Sequence, residues 1–331
     1  MPPDHPTRRR AITIFATTAA GAIIGGPAFL TAAEYEWQGE AMGADAHIFF
    51  DGMDGRTARS IAVLVEAEID RLENALSLFR PNSELCQLNR SGHLPEPSGD
   101  IRRALMLAVH VADLSGGLFD PTVQPLWEAH VDWFEDHHDA GLPPEYVIAR
   151  ARQAVDWRKI RFEPDAISLG KDQRLTLNGL GQGYVTDRVT ELLVAKGLRY
   201  MLVDLGEQRA ITTRRNGAPW LIAQANATPF QLAHGALATS EGSGCVLGAN
   251  GAVHHLFDPR TGRSAAHWRT ITVHHRSTAV ADALSTALYI ASEDEIRAML
   301  PRLQGTTIWA VDAEGRRKHW SSGPTDGGIT S

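Results

Sequence analysis

Asp282 and Thr286 are the residues whose type and spacing first suggest chemistry. Around them Val280, Leu284, Ala287, Leu288 and Ala291 recur at helical spacing and predict a helix over 278–291. Side chains four apart share one helix face, so a carboxylate and a hydroxyl stand on adjacent turns. On a regular helix that face lies about 200° round from Leu284, away from the apolar stripe. Hard oxygen donors of this kind suit Mg²⁺. A solvent-facing helix is the plainer reading of the same pair. Ser285 and the neighbouring alanines, however, give a small-residue surface that a ligand can approach closely.

Three other segments carry possible chemistry. Leu177-Asn178-Gly179-Leu180-Gly181-Gln182-Gly183-Tyr184 places three glycines between an apolar run and a helical pattern. Backbone N–H groups at such a junction can hold a phosphate. The glycine spacing is not that of a dinucleotide fingerprint, and a tight strand-to-helix turn accounts for it equally. His254-His255-Leu256-Phe257-Asp258-Pro259-Arg260-Thr261-Gly262 and Gly116-Gly117-Leu118-Phe119-Asp120-Pro121-Thr122 each run into an Asp-Pro pair. Each also has an ordinary explanation as a turn.

The elements that must position these segments follow from the pattern. Helices are predicted at about 56–79, 100–114, 143–155, 183–196, 278–291 and 293–300. Strands are predicted near 44–50, 160–162, 167–169, 175–177, 200–204, 209–211, 220–223, 253–257, 270–274 and 307–311. Helices and strands do not alternate strictly, which argues for an α+β fold of mixed sheets with packed helices rather than a doubly wound sheet. His130–Pro144 holds four acidic residues and three histidines and reads as an exposed insertion loop. The chain after Lys318 reads as a loose tail over 319–331.

The 331 residues, 43% hydrophobic and 21% charged, suit a soluble globular protein with a full core. A formal charge of -7 argues against a general nucleic-acid binder, which needs a basic stripe. Arg8-Arg9-Arg10, the apolar run 11–30 and the small residues Thr31-Ala32-Ala33 have the order of an export signal. The arginines before a weakly hydrophobic run resemble a twin-arginine signal, so residues 1–33 are expected to be a signal peptide and the protein periplasmic. An uncleaved membrane anchor is the alternative. Removal of residues 1–32 takes away three Arg and one Asp and leaves a formal charge of about -9. Cys86 and Cys245, the two cysteines, make neither a disulfide framework nor a zinc site.

In order along the chain come Ala41-Met42-Gly43, Ser77–Leu85 with Leu88-Asn89-Arg90, Gly117–Val123, Leu180–Asp187, Val203-Asp204-Leu205-Gly206, Ala238-Thr239-Ser240, His255–Gly262 and Asp282–Ala287. This series resembles the FAD:protein FMN transferase family, the ApbE-type flavin transferases, over about residues 40–310. The resemblance implies a single domain over 34–318 with an ApbE-like, T-fold-related architecture. It implies transfer of FMN from FAD to a threonine hydroxyl of a target protein, release of AMP, and dependence on Mg²⁺. By motif, Met42, Phe79, Leu118, Phe119, Asp120, Thr176, Gln182 and Leu256 are implied to bind FAD, Leu256 through its backbone. Gly179 through its carbonyl, Asp282 and Thr286, with Ser285 nearby, are implied at the metal. His255 is the implied proton-transfer residue, with Asp120 as the other candidate base.

The chain departs from the family pattern at Thr176, often Asp, at Gln182, commonly Lys or Glu, and at Glu207, usually Gly. It is most similar to the NosX branch that accompanies nitrous oxide reductase maturation, which implies a membrane flavoprotein of nitrous oxide reduction as acceptor. Two other functions share the same motifs: an FAD pyrophosphatase yielding FMN and AMP, and a non-catalytic FAD-binding assembly factor.

Overall fold

In the computed structural model, residues 34–137, 141–224, 227–247, 253–323 and 328–330 are described. The leader-like segment 1–33 lies outside them, as do His138 and Asp139 of the histidine-rich stretch. The fold is organised by one eight-stranded sheet: β1 (Glu34–Ala41), β2 (Ala44–Asp51), β3 (Met201–Asp204), β4 (Gln208–Ala210), β5 (Gly235–Glu241), β6 (Trp268–His275), β7 (Thr307–Asp312) and β8 (Arg317–Ser321). Its strands lie side by side in chain order. Each described ladder of this sheet is antiparallel, and the expected α+β class holds.

Eight α-helices occur among the described residues: α1 (Gly55–Leu76), α2 (Glu84–Ser91), α3 (Gly99–Leu114), α4 (Gln124–Asp136), α5 (Glu145–Arg152), α6 (Gly181–Ala195), α7 (Thr278–Ile290) and α8 (Glu293–Met299). Helix α7 lies on β5 and β6, with α6 and α3 beside it and α1 against α6 and β1. Strand alternation divides the core. Met201, Val203 and Ala238 face the helices. Leu202, Ala210 and Leu237 face a second small core, closed by a three-stranded sheet of Trp220–Gln224, Ala227–Leu232 and Ile329–Thr330.

Several expectations are corrected. Helix α7 is not amphipathic. Packed between the sheet and two helices, it buries Asp282 and Ser285 as well as Leu284 and Leu288, as a helix apolar nearly all round must. Leu175–Leu177 is in no ladder. The Asn89 side chain takes the place of a neighbouring strand, accepting from Leu175 N–H (2.7 Å) and donating to Leu175 O (2.8 Å). The supposed insertion loop begins as the last two turns of α4. His130 is 2% exposed there, stacked on Phe257 at 4.3 Å with Nδ1 donating to Leu126 O at 2.8 Å. The described part of 319–331 is not loose either. Residues 319–321 pair with β7, buried Trp320 packs edge-on against Trp268, and Ile329–Thr330 pair with Leu232 and Gln231. Cys86 and Cys245 are both free thiols.

Candidate active site

One cleft gathers the separate motifs. It encloses about 1190 Å³, open mouth included. Its wall is built from the β1–β2 turn, the segment before α4, the glycine segment opening α6, the β3–β4 turn, the end of β5, residues 255–257 and α7.

The β1–β2 turn contributes Met42. Ala41 pairs with Ala44, leaving Met42 and Gly43 as the two turn residues, both left-handed at φ 53° and 81°. A two-residue hairpin turn of this kind favours Asn-Gly. A methionine there is strained, and strain of this kind collects at functional positions. Glu73 holds the turn in place: its Oε1 accepts Met42 N–H at 2.6 Å and its Oε2 pairs with Arg80. Phe79, beside Arg80, packs near Gly43 and joins Met42 in the wall.

Leu118, Phe119 and Asp120 follow the stop of α3 and are buried in the wall. Asp120 Oδ1 accepts Thr122 N–H (2.8 Å) and Thr122 Oγ1–H (2.6 Å), and Oδ2 accepts Trp157 N–H (3.2 Å). Burial raises its pKa despite these bonds. Thr176 N–H donates to Pro121 O (2.8 Å), and Thr176 Oγ1 accepts Asn178 N–H (3.1 Å). The Asp120 turn is thereby tied to the glycine segment.

The glycine segment meets α7 directly. A Cβ on Gly183 would lie 2.6 Å from Thr278 O and 2.8 Å from Ala279 Cα, so the two helix starts touch only because Gly183 has no side chain. Gly183 N–H donates to Asp282 Oδ2 at 3.0 Å. A Cβ on Gly179 would lie 2.9 Å from Thr286 Oγ1, which places the Gly179 backbone against that hydroxyl. Asp282, Thr286 and Gly179 therefore converge on one stretch of wall. Burial outweighs the helix N-terminus and pushes Asp282 up to about 7. Gln182 also lines the cleft and lies across Gly206.

Ser285 is placed differently from the expectation. It is fully buried behind the wall, its Oγ donating to Asp282 O (2.8 Å) and meeting Ser240 Oγ at 2.7 Å. Those two bonds take its proton and one lone pair, and from behind the wall it supports α7 and Ser240. Leu256 lines the cleft, yet its N–H donates to His254 Nδ1 (3.3 Å) and its carbonyl accepts Ala265 N–H (3.0 Å). Its backbone already has partners.

His255 faces the same cleft, with Nδ1–H donating to Cys245 O at 3.3 Å. That bond leaves Nε2 as the basic nitrogen. Burial, helped by His254, holds the ring down at about 4, so it is neutral near pH 7.

The sequence reading did not include Glu207, Thr239, Ser240 or Glu241 among the site residues, though all four line the cleft. Thr239 and Ser240 lay in a noted motif, and Glu207 stood out as a departure, so their signal was present. Four carboxylates line the cleft, Asp120, Glu207, Glu241 and Asp282, and no Lys or Arg among the described residues does. No group of three His, Cys, Asp or Glu is placed to hold a metal among the described residues. One carboxylate, one hydroxyl and one carbonyl are nevertheless a donor set that fits Mg²⁺.

The ApbE family model matches residues 42–309, the span from the β1–β2 turn to β7 that builds the cleft. The chain belongs to the ApbE family. Among its relatives are FAD:protein FMN transferases from Salmonella typhimurium, 24% identical over 86% of this chain and 86% of that one, and from Haemophilus influenzae, 26% identical over 78% and 80%. The crystal structure of the ApbE protein from Thermotoga maritima superposes with a TM-score of 0.76 at 23% identity, covering 86% of this chain and 96% of that one. The α+β architecture of this ApbE-family protein is thus shared with a solved structure.

Proposed function

We propose that this protein transfers FMN from FAD to a threonine hydroxyl of an acceptor protein, releasing AMP, with Mg²⁺ in the cleft. Family membership and the activity named for the relatives support the reaction class. The observation that carries the site assignment is the cleft's charge. A pyrophosphate brought against four carboxylates, with no Lys or Arg among the described lining residues, is repelled wherever those acids ionise unless a cation accompanies it. Asp282, Thr286 and the Gly179 carbonyl are the donors for that cation. When bound, Mg²⁺ neutralises charge on the pyrophosphate.

The acceptor hydroxyl oxygen attacks the flavin-side phosphorus. A new O–P bond forms, the P–O bond of the pyrophosphate breaks, and AMP leaves with the bridging oxygen. Positioning and electrostatics dominate such a transfer. The hydroxyl proton passes to His255, whose ring is unprotonated and able to accept it because burial holds it down at about 4, a value that also makes it a weak base. Asp120, both oxygens of which accept hydrogen bonds, holds the turn that shapes the cleft. Met42, Phe79, Leu118 and Phe119 supply apolar wall for the flavin or adenine ring.

The export-like order of residues 1–33 supports action outside the cytoplasmic membrane. The acceptor is accordingly a membrane-associated redox protein, and a flavoprotein of nitrous oxide reduction is the first to test. Purified protein, FAD, Mg²⁺ and such an acceptor should give flavin fluorescence that stays with the acceptor through denaturation. Failure to label any acceptor carrying an accessible threonine would refute the proposal.

A further inference from the structure

Glu207 occupies the turn between β3 and β4, directly after Gly206, whose φ of +100° lets the chain reverse there. Its side chain is only 5% exposed and lines the cleft with Asp282, Thr286 and Gly179. Its carboxylate is poorly satisfied. Oε2 accepts Thr239 N–H at 3.3 Å, and no donor among the described residues reaches Oε1. No Lys or Arg among the described residues pairs with either Glu207 or Asp282.

A buried carboxylate without a cation or a full set of donors is costly. Two of them sharing one wall cost more, because each opposes ionisation of the other. Burial first, then the charges of Asp282 and Asp204, oppose ionisation of Glu207. Two acids thus line one cleft, and one Glu207 carboxylate oxygen has no donor among the described residues.

We propose that Glu207 is the second carboxylate that would hold the divalent cation, together with Asp282, Thr286 and Gly179. Two carboxylates balance the charge of one such ion, and hard oxygen from Thr286 and Gly179 completes the protein's share. This inference rests on the cleft being the cation-assisted FAD site. It concerns only whether Glu207 belongs to the cation's ligand set.

The test uses the full-length protein freed of cations by a chelator, with Mn²⁺ as probe and no flavin present. Free Mn²⁺ is followed by electron paramagnetic resonance during titration of wild type, Glu207→Gln and Asp282→Asn. Gln keeps an acceptor for Thr239 N–H and the same shape, so the fold is preserved. The expected result is a loss of Mn²⁺ affinity of about 10–100-fold in Glu207→Gln, with a comparable or larger loss in Asp282→Asn. Wild-type affinity in Glu207→Gln with weakened binding in Asp282→Asn overturns the role of Glu207 and leaves the site reading standing. Wild-type affinity in both overturns the site reading together with this inference. Melting of the cation-free proteins is an independent readout. Removing one like charge should raise the melting temperature of Glu207→Gln above wild type and shrink the further rise that Mn²⁺ produces. A lower cation-free melting temperature would overturn the inference, since it would mean that the carboxylate is already compensated within the fold.

Discussion

Asp282 and Asp187 cap each other's helices. Asp282, on α7, accepts Gly183 N–H in the first turn of α6 at 3.0 Å. Asp187, on α6, accepts Thr278 N–H at 2.9 Å and Ala279 N–H at 3.2 Å in the first turn of α7. Both helices thus satisfy part of their orphan amides with a carboxylate from the partner helix. The two acids then diverge. Asp187 also accepts from Ser277 Oγ (2.7 Å) and pairs with Arg209. Asp282 has no cationic partner among the described residues and faces the cleft. One acid of the pair is structural and the other is left available to a ligand.

That difference predicts a division of effects. Asp187→Ala strands several buried donors and Arg209, and should cost about 3–5 kcal/mol of stability, read by denaturant unfolding. Asp282→Asn keeps an acceptor for Gly183 N–H. It should change stability by less than about 1 kcal/mol while abolishing Mg²⁺-dependent turnover.

The two glycines facing α7 should also separate. Gly183→Ala drives a Cβ into the α7 backbone at 2.6 Å and should destabilise by about 1–3 kcal/mol or more. Gly179→Ala meets the Thr286 hydroxyl at 2.9 Å, a side-chain tip. It should leave the melting temperature nearly unchanged and weaken Mg²⁺ affinity, as calorimetric titration would show.

Glu73 should act on FAD through Met42. Glu73→Ala frees Met42 N–H and leaves Arg80 ion-paired with Asp70 alone. The strained turn then relaxes, and KM for FAD should rise about tenfold, an energy of about 1.4 kcal/mol, with Mn²⁺ affinity unchanged.

The pH dependence of stability should invert with cation. Burial raises Asp282 from the ordinary 3.8 to about 7. The cation-free folded protein therefore binds this proton more tightly than the unfolded chain. The stability from that proton is full below 3.8 and is lost as pH rises through about 7. Bound Mg²⁺ takes the place of the proton and favours the ionised form. Melting temperature should fall between pH 6 and 8 in chelator and not fall in saturating Mg²⁺ across the same range (about the pKa named).

Much of this site could be read from the residues before the fold was known. Asp282, Thr286, Gly179 and His255 were named from motifs and stand on one cleft. Period and spacing also gave α1, α3, α6 and α7, whose runs are long enough to show a helical repeat. The short helix α2 offers too few residues for such a repeat, and α4 starts without a side-chain cap. What could not be read was burial set by distant chain. Asp282 looked solvent-facing because the pattern of α7 says nothing of α6 and α3 beside it. Ser285 looked like a ligand because its bond to Ser240 spans 45 residues. Glu207 looked like a simple departure because its neighbourhood with Asp282 exists only after β3, β4 and α7 assemble.

The most direct measurement of the central claim is the ratio of AMP released to FMN covalently bound on the acceptor, with Mg²⁺ present. One AMP per bound FMN, with both lost in Asp282→Asn, is the predicted result. AMP accompanied by free FMN would make the protein a pyrophosphatase. FAD held tightly with no AMP under any cation would contradict the account altogether.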